Sequence, residues 1–186
     1  MDSEAHARGL AALGVPEAAR APLQAYLDLL ADWQPRVNLT GARGAAQRLA
    51  TLIAPVLALG PRLAAGRLVD VGSGNGSPGL VLALLRPDLQ ARLLEPRLKR
   101  WSFLREAARA AGRPDVQVLR VRHDEDPGPP AEQVTLRALR LPPGELLPLL
   151  LPGGRLYVLG TRPPPDPAFE LEQATPGLSV LRRRPI

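Results

Sequence analysis

The chain has 186 residues, of which 45% are apolar but only 3% aromatic, so leucine, valine and alanine must supply its core. There is no cysteine, which excludes disulfides, thiolate metal sites and cysteine nucleophiles. The net charge of +6 rests on 24 basic residues, all arginine except Lys99. A surface of that sign attracts phosphate backbones, although joint enrichment in Arg, Ala, Pro, Gly and Leu is also what a GC-rich genome produces.

No charged-then-apolar leader opens the chain, and no apolar run approaches the ~18 residues of a membrane span, so a cytoplasmic protein without a membrane partner is expected. Residues 1–60 read as a helical extension. Leu23, Tyr26, Leu27, Leu30 and Trp33 recur at helical spacing as one apolar stripe. Asn38-Leu39-Thr40-Gly41 is a turn and cap signal. A second helical pattern covers 45–59, where Pro55 should kink or end it.

From 61 to 186 the pattern becomes that of a cofactor-binding core within one domain of residues 1–186. Strands are expected at Arg67–Val71, Ala91–Glu95, Val116–Val121, Gln133–Leu136 and Arg155–Leu159, with a weak last one at Leu178–Arg182. Helices are expected near Gly79–Leu85, at Arg97–Ala111 and at Pro143–Leu150. Asp124–Pro130 and the proline-rich 163–167 read as loops, and Gly153-Gly154 as the turn into the fifth strand. The alternation predicts an α/β fold with a mainly parallel, doubly wound sheet.

Such sheets bind ligands beyond the carboxyl ends of their strands. Asp70-Val71-Gly72-Ser73-Gly74-Asn75-Gly76 stands there, directly after the first strand, and its glycines allow a sharp turn and close backbone approach to a ligand. Asp70 can accept hydrogen bonds from a loop amide or from a ligand's ammonium group. Glu95, at the end of the second strand, can take both hydroxyls of a ribose. Gly74 to Gly79 also matches the dinucleotide fingerprint, and Glu95, 21 residues after Gly74, suits either ligand's ribose. Two features favour S-adenosylmethionine over a dinucleotide. A carboxylate at Asp70 repels a pyrophosphate but attracts a cationic amino acid, and Pro78 removes an amide donor from the following helix. His123-Asp124, after the third strand, is a candidate acceptor for the adenine amino group, or else part of a solvated acidic turn. His6 and His123 do not form a metal site, and no metal is expected.

With these residues in place the chain resembles the bacterial small-subunit ribosomal RNA guanine-N7 methyltransferases, the glucose-inhibited division protein B family, over roughly residues 25–162. Trp33 through Val37-Asn38-Leu39-Thr40 is similar to the family's W-N-x-x-x-N-L-T segment. Val69 through Leu80 is similar to its cofactor loop, including Pro78-Gly79, and Arg86-Pro87 follows as it does there. Glu95, Lys99-Arg100 and Phe103 resemble its D-S-x-x-K-R-x-x-F-L stretch, and Arg137-Ala138 its S-R-A motif. The chain departs from the family in three places. Thr51, Ala54 and Pro55 stand where it carries H-x-L-D-S, Gly160 stands where a lysine follows strand five, and the carboxy-terminal hairpin is expected to be truncated before Arg182-Arg183-Arg184-Pro185-Ile186.

The resemblance implies a Rossmann-like methyltransferase that uses S-adenosylmethionine and acts, as a monomer, on ribosomal RNA or the small ribosomal subunit. Its cofactor residues would be Asp70, Gly72, Ser73, Gly74, Asn75, Gly76, Pro78, Glu95, His123 and Asp124. Asn38, Arg97, Lys99, Arg100 and Arg137 would face the RNA, with Arg137 able to hold guanine O6 or a phosphate in a fork. Guanine N7 carries an exposed lone pair, so the absence of an obvious base is compatible with that reaction. The departures leave open a methyltransferase of the same fold with another substrate, or a domain that only binds cofactor or RNA.

Overall fold

The computed structural model describes residues 2–185. Two helices open the chain, α1 (Asp2–Ala12) and α2 (Glu17–Trp33). The expected stripe of α2 is inward: Leu23, Tyr26, Leu27 and Leu30 are fully buried, and Trp33 packs partly exposed against the same core. The second helical segment is broken, as Pro55 implied. It runs as α3 (Gly44–Arg48), a π-helical turn (Leu49–Ile53) and α4 (Ala54–Leu57). Proline has no amide hydrogen to return to the carbonyl of Thr51 one turn earlier, so the ladder loosens before it.

The core follows as β1 (Gly66–Val71), α5 (Gly79–Leu85), β2 (Leu89–Leu94), α6 (Leu98–Ala110), β3 (Gln117–Leu119), β4 (Ala131–Arg137), β5 (Leu150–Leu159), β6 (Phe169–Thr175) and β7 (Leu178–Arg183). The sheet order is β3-β2-β1-β4-β5-β7-β6. The first five strands are mutually parallel, and β7 runs antiparallel to both β5 and β6. The strand order therefore reverses at β1, which places the glycine loop at the switch point.

Alternation along the strands divides the interior into two layers. Leu68, Ala91 and Leu93 point into a core shared with α2, α5 and α6, where Phe103 is fully buried and edge-on to Trp33. Val69, Val71, Val134, Leu136 and Leu156 point into a second core on the opposite face. That second face is covered by a 3-10 turn (Pro143–Leu149) and connecting loops rather than by long helices.

The sequence expectations fail mainly at edges and around glycine and proline. Pro143–Leu150 is a 3-10 turn, not an α-helix, because Pro148 cannot donate within so short a segment. The Gly153-Gly154 turn lies inside β5, which starts at Leu150; a register irregularity between Ala131 and Gln133 on β4 accommodates the extra residues. The ladder of β3 spans Gln117–Leu119 rather than Val116–Val121. The carboxy-terminal hairpin is present, contrary to the expected truncation. Its first strand, β6, is an edge strand in which only Phe169 is buried, and a register shift between Leu171 and Gln173 breaks its alternation. Arg183 is fixed in it as well, donating from Nη1 to the carbonyl of Leu147 at 2.9 Å.

Candidate active site

Beyond the ends of β1 and β4 lies an open crevice of about 450 Å³. Its floor is Gly72, Ser73, Gly74 and Asn75, and its walls come from Leu39 and Thr40, from Thr51 and Leu52, and from Arg100, Arg137 and Leu139. Gly72 and Gly74 have φ of 65° and 55°, conformations that a side chain would strain. The bend they make is fixed from below. The Ser73 amide donates to the Leu94 carbonyl at 3.0 Å and the Gly76 amide to the Ser73 carbonyl at 2.7 Å. Asn75 accepts from the Ser77 amide at 3.0 Å and donates to the Leu39 carbonyl at 3.2 Å. The buried hydroxyl of Tyr26 donates to the Asn75 carbonyl at 2.9 Å. The helical extension thus holds the loop as well as walling the crevice.

Glu95 serves the loop too. It is only 3% exposed. One oxygen accepts from the Gly74 amide at 2.9 Å and the other from the Arg97 amide at 2.8 Å. The carboxylate therefore joins the glycine bend to the start of α6, in place of a side-chain cap. Each oxygen keeps a second lone pair, but both of its mapped partners are backbone amides.

Asp70 sits beneath the floor rather than in the crevice wall. Register sets its partner: Asp70 lies opposite Thr135 in the β1–β4 ladder, and the Thr135 hydroxyl donates to Asp70 Oδ1 at 2.6 Å. Asp70 is 1% exposed, and among the described residues Oδ2 has no hydrogen-bond partner. Burial pushes its carboxyl up to about 6, against the lowering pull of the Thr135 hydroxyl. The first residue of α5 packs against it. A Cβ added at Gly79 would stand 2.3 Å from Asp70 Cβ and 2.5 Å from Oδ2. That contact explains why a glycine follows Pro78.

Arg137 closes the crevice from the end of β4. Its Nη1 donates to Ser77 Oγ at 2.7 Å and its Nη2 to the Thr51 carbonyl at 2.6 Å, the carbonyl that Pro55 leaves without a helical donor. Ser77 Oγ in turn donates to the Leu52 carbonyl at 2.8 Å. Burial lowers the pKa of Arg137 from its usual value. Across the crevice, Arg100 donates to the Asn38 carbonyl at 3.3 Å.

The structure thus gathers Gly72, Ser73, Gly74, Asn75, Arg100 and Arg137 around one cavity. Asn38 stands at its rim with an exposed side chain, engaged through its carbonyl. Gly76 and Pro78 lie outside the lining, in the buried turn below. Arg97 and Lys99 are exposed at the start of α6. His123 and Asp124 form a 3-10 turn away from the lining, where His123 meets Glu145 at 3.2 Å and Asp124 pairs with Arg122 on the surface. Sequence reasoning missed Tyr26, Thr51, Ser77 and Thr135, whose roles depend on contacts 25–86 residues away in the chain. Only Tyr26 carried a signal, a polar tip inside an apolar stripe. Gly160 has a φ of 114°, so a lysine there would be strained; Arg162 supplies a cation two residues later.

The crevice lies beyond the carboxyl ends of the strands at the switch point, where open α/β sheets bind their ligands. Residues 19–162 match the family described as rRNA small subunit methyltransferase G. The Ribosomal RNA small subunit methyltransferase G of Xanthomonas euvesicatoria is 37% identical over 161 residues, covering 84% of this chain and 76% of its own. Among solved structures, TrmN from Thermus thermophilus superposes with a TM-score of 0.57 at 23% identity over 80% of this chain and 52% of its own. Coclaurine N-methyltransferase, solved with N-methylheliamine and SAH, gives 0.55 at 15% identity over 84% of this chain and 52% of its own. This chain belongs to the small-subunit ribosomal RNA methyltransferase G family and has the class I S-adenosylmethionine-dependent methyltransferase fold.

Proposed function

We propose that this chain transfers the methyl group of S-adenosylmethionine to N7 of a guanine in small-subunit ribosomal RNA. The observation that carries this reading is a crevice in which a bare-backbone bend faces a clamped arginine, Arg137, with no Asp, Glu or His among its described lining residues. Fit to the donor rests on two features. Gly74 leaves its backbone open to close approach, whereas Leu139 lies over Gly72, and the buried Asp70, with Oδ2 unpartnered among the described residues, places negative charge under the floor once ionised. S-adenosylmethionine supplies an activated methyl group on a cationic sulfur.

The residues of this chain bind and align. Gly72 through Asn75 receive the donor, Glu95 and Tyr26 keep their bend rigid, and the Asp70 field favours a cation over a diphosphate without touching it. Arg137 has donors remaining after its two contacts, which can take guanine O6 and orient N7. N7 needs no proton removed, so alignment supplies most of the catalysis. Arg97, Lys99 and Arg100 attract the RNA backbone. A ribosomal RNA substrate is consistent with work in the cytoplasm, and the enzyme is proposed to act as a monomer; among the described residues no helix is long and apolar enough to cross a membrane.

Mass spectrometry of ribosomal RNA from a strain lacking the gene tests the reading. Loss of one N7-methylguanosine from the small-subunit RNA, restored by the gene, is expected. An unchanged set of modifications would remove it.

A further inference from the structure

The crevice does not end at Arg137. Ala138 and Leu139 also line a second cavity of about 650 Å³, between the carboxyl ends of β4 and β5. Ala138 has a φ of 56°, a left-handed conformation rare for a residue with a side chain, and it turns the chain so that Leu139 lies over Gly72 at the boundary of the two cavities. The walls are apolar, with Leu141, Pro163 and Pro164, and the rim carries Arg140 and Arg162, both exposed. Among the described residues, no carboxylate lines this cavity. Arg67, Arg86, Arg92, Arg113 and Arg155 each face an Asp or Glu. Among the described residues, Arg140 and Arg162 have no such partner and no side-chain hydrogen bond.

An apolar slot with two unpaired guanidinium groups at its mouth is suited to a nucleotide. The walls take the face of a base, and the arginines take the phosphates on either side. The volume lies within the ~300–1,000 Å³ range of small-ligand sites. Continuity with the donor crevice fixes which nucleotide this is. The geometry points to a binding site for the unpaired nucleotide next to the target guanine, so that the enzyme takes a single-stranded segment of RNA with one residue in each cavity. The inference rests on the methyltransferase reading above and adds the form of the substrate. A base held in a duplex cannot leave its stack to enter the slot without the cost of unstacking.

The test compares wild type with the Arg140→Ala/Arg162→Ala double variant, using small-subunit ribosomal RNA and tritiated S-adenosylmethionine. The variant is expected to raise KM for RNA at least ~10-fold while leaving S-adenosylmethionine affinity within twofold. The salt dependence of binding to a short single-stranded RNA should also lose about 1.4 from its logarithmic slope, the value for two phosphate contacts on a single strand. Arg140→Lys/Arg162→Lys should keep that slope, and Arg109→Ala, on the outer face of α6, should change neither quantity. The same oligonucleotide annealed to its complement should bind at least ~10-fold more weakly. Unchanged KM and slope in the alanine variant, or equal binding of the duplex, would overturn the inference. Failure of wild type to methylate the RNA at all would instead overturn the methyltransferase reading.

Discussion

Replacing Gly79 with alanine sets two opposing effects against each other. Gly79 is the first residue of α5 and its φ is not positive, so alanine is conformationally allowed and should gain up to ~1 kcal/mol in helix propensity. The added Cβ, however, would meet Asp70 at three atoms, 2.3, 2.5 and 2.5 Å away. Asp70 is buried and bonded to Thr135, so it cannot swing aside freely. Forcing extra volume into a close-packed site costs ~1–3 kcal/mol, and loss of the Asp70–Thr135 bond costs a further ~1 kcal/mol. The steric effect wins, leaving a net destabilisation of about 1–3 kcal/mol. For a chain of this length that lowers Tm by roughly 3–10 °C. Because the floor of the crevice must move, S-adenosylmethionine affinity should fall at least ~10-fold. Thermal unfolding and calorimetric titration of Gly79→Ala measure both quantities. A variant as stable as wild type, with unchanged cofactor affinity, would refute the reasoning that the Pro78-Gly79 step exists to seat Asp70.

The raised pKa of Asp70 gives a pH prediction. Its carboxyl titrates near 6 when folded against an ordinary 3.8, so the native state holds the proton more tightly and stability falls as pH rises from about 4 through 6. Asp70→Asn should remove that decline, its unfolding free energy in urea gaining on wild type by up to ~3 kcal/mol above pH 6; a constant difference across pH 4–8 would contradict it. Tyr26→Phe deletes the hydroxyl that holds the Asn75 carbonyl. It should cost ~1 kcal/mol of stability and weaken S-adenosylmethionine binding several-fold, measured by the same two assays. Arg137→Lys cannot reproduce the fork to Ser77 and Thr51. It should lower methylation ~10–100-fold with little change in cofactor affinity, and full activity would exclude a guanine contact.

Local physics made the order of elements legible. The stripe of α2, the strand–loop–helix around Gly72–Gly79 and the outward Arg137 all follow from periodicity and glycine placement. The edges were not legible. β6 buries one side chain, and its bulge erases the period-two pattern that would have announced it. Glycine signals were ambiguous in the same way, since Gly153 turns the chain without ending β5. At the site, spacing located the carboxylates of Asp70 and Glu95 but not their directions. Asp70 faces Thr135 because of the β1–β4 register, and Glu95 faces backbone amides because the glycine loop and the residue that leads into α6, Arg97, both bring their N–H groups to it. The Asp70 partner lies 65 residues away and one of the two Glu95 partners 21 residues away. The Thr51–Arg137–Ser77 clamp spans three distant segments, and Pro55, read as a helix breaker, proves to matter for the carbonyl it releases.

Calorimetric titration of the purified chain with S-adenosylmethionine, with NAD as comparator, tests the central claim most directly. The account predicts saturable one-to-one binding of S-adenosylmethionine, weakened at least ~10-fold when a side chain is added at Gly74, and no binding of NAD. Binding of NAD in its place, or S-adenosylmethionine binding indifferent to Gly74→Val, would contradict it.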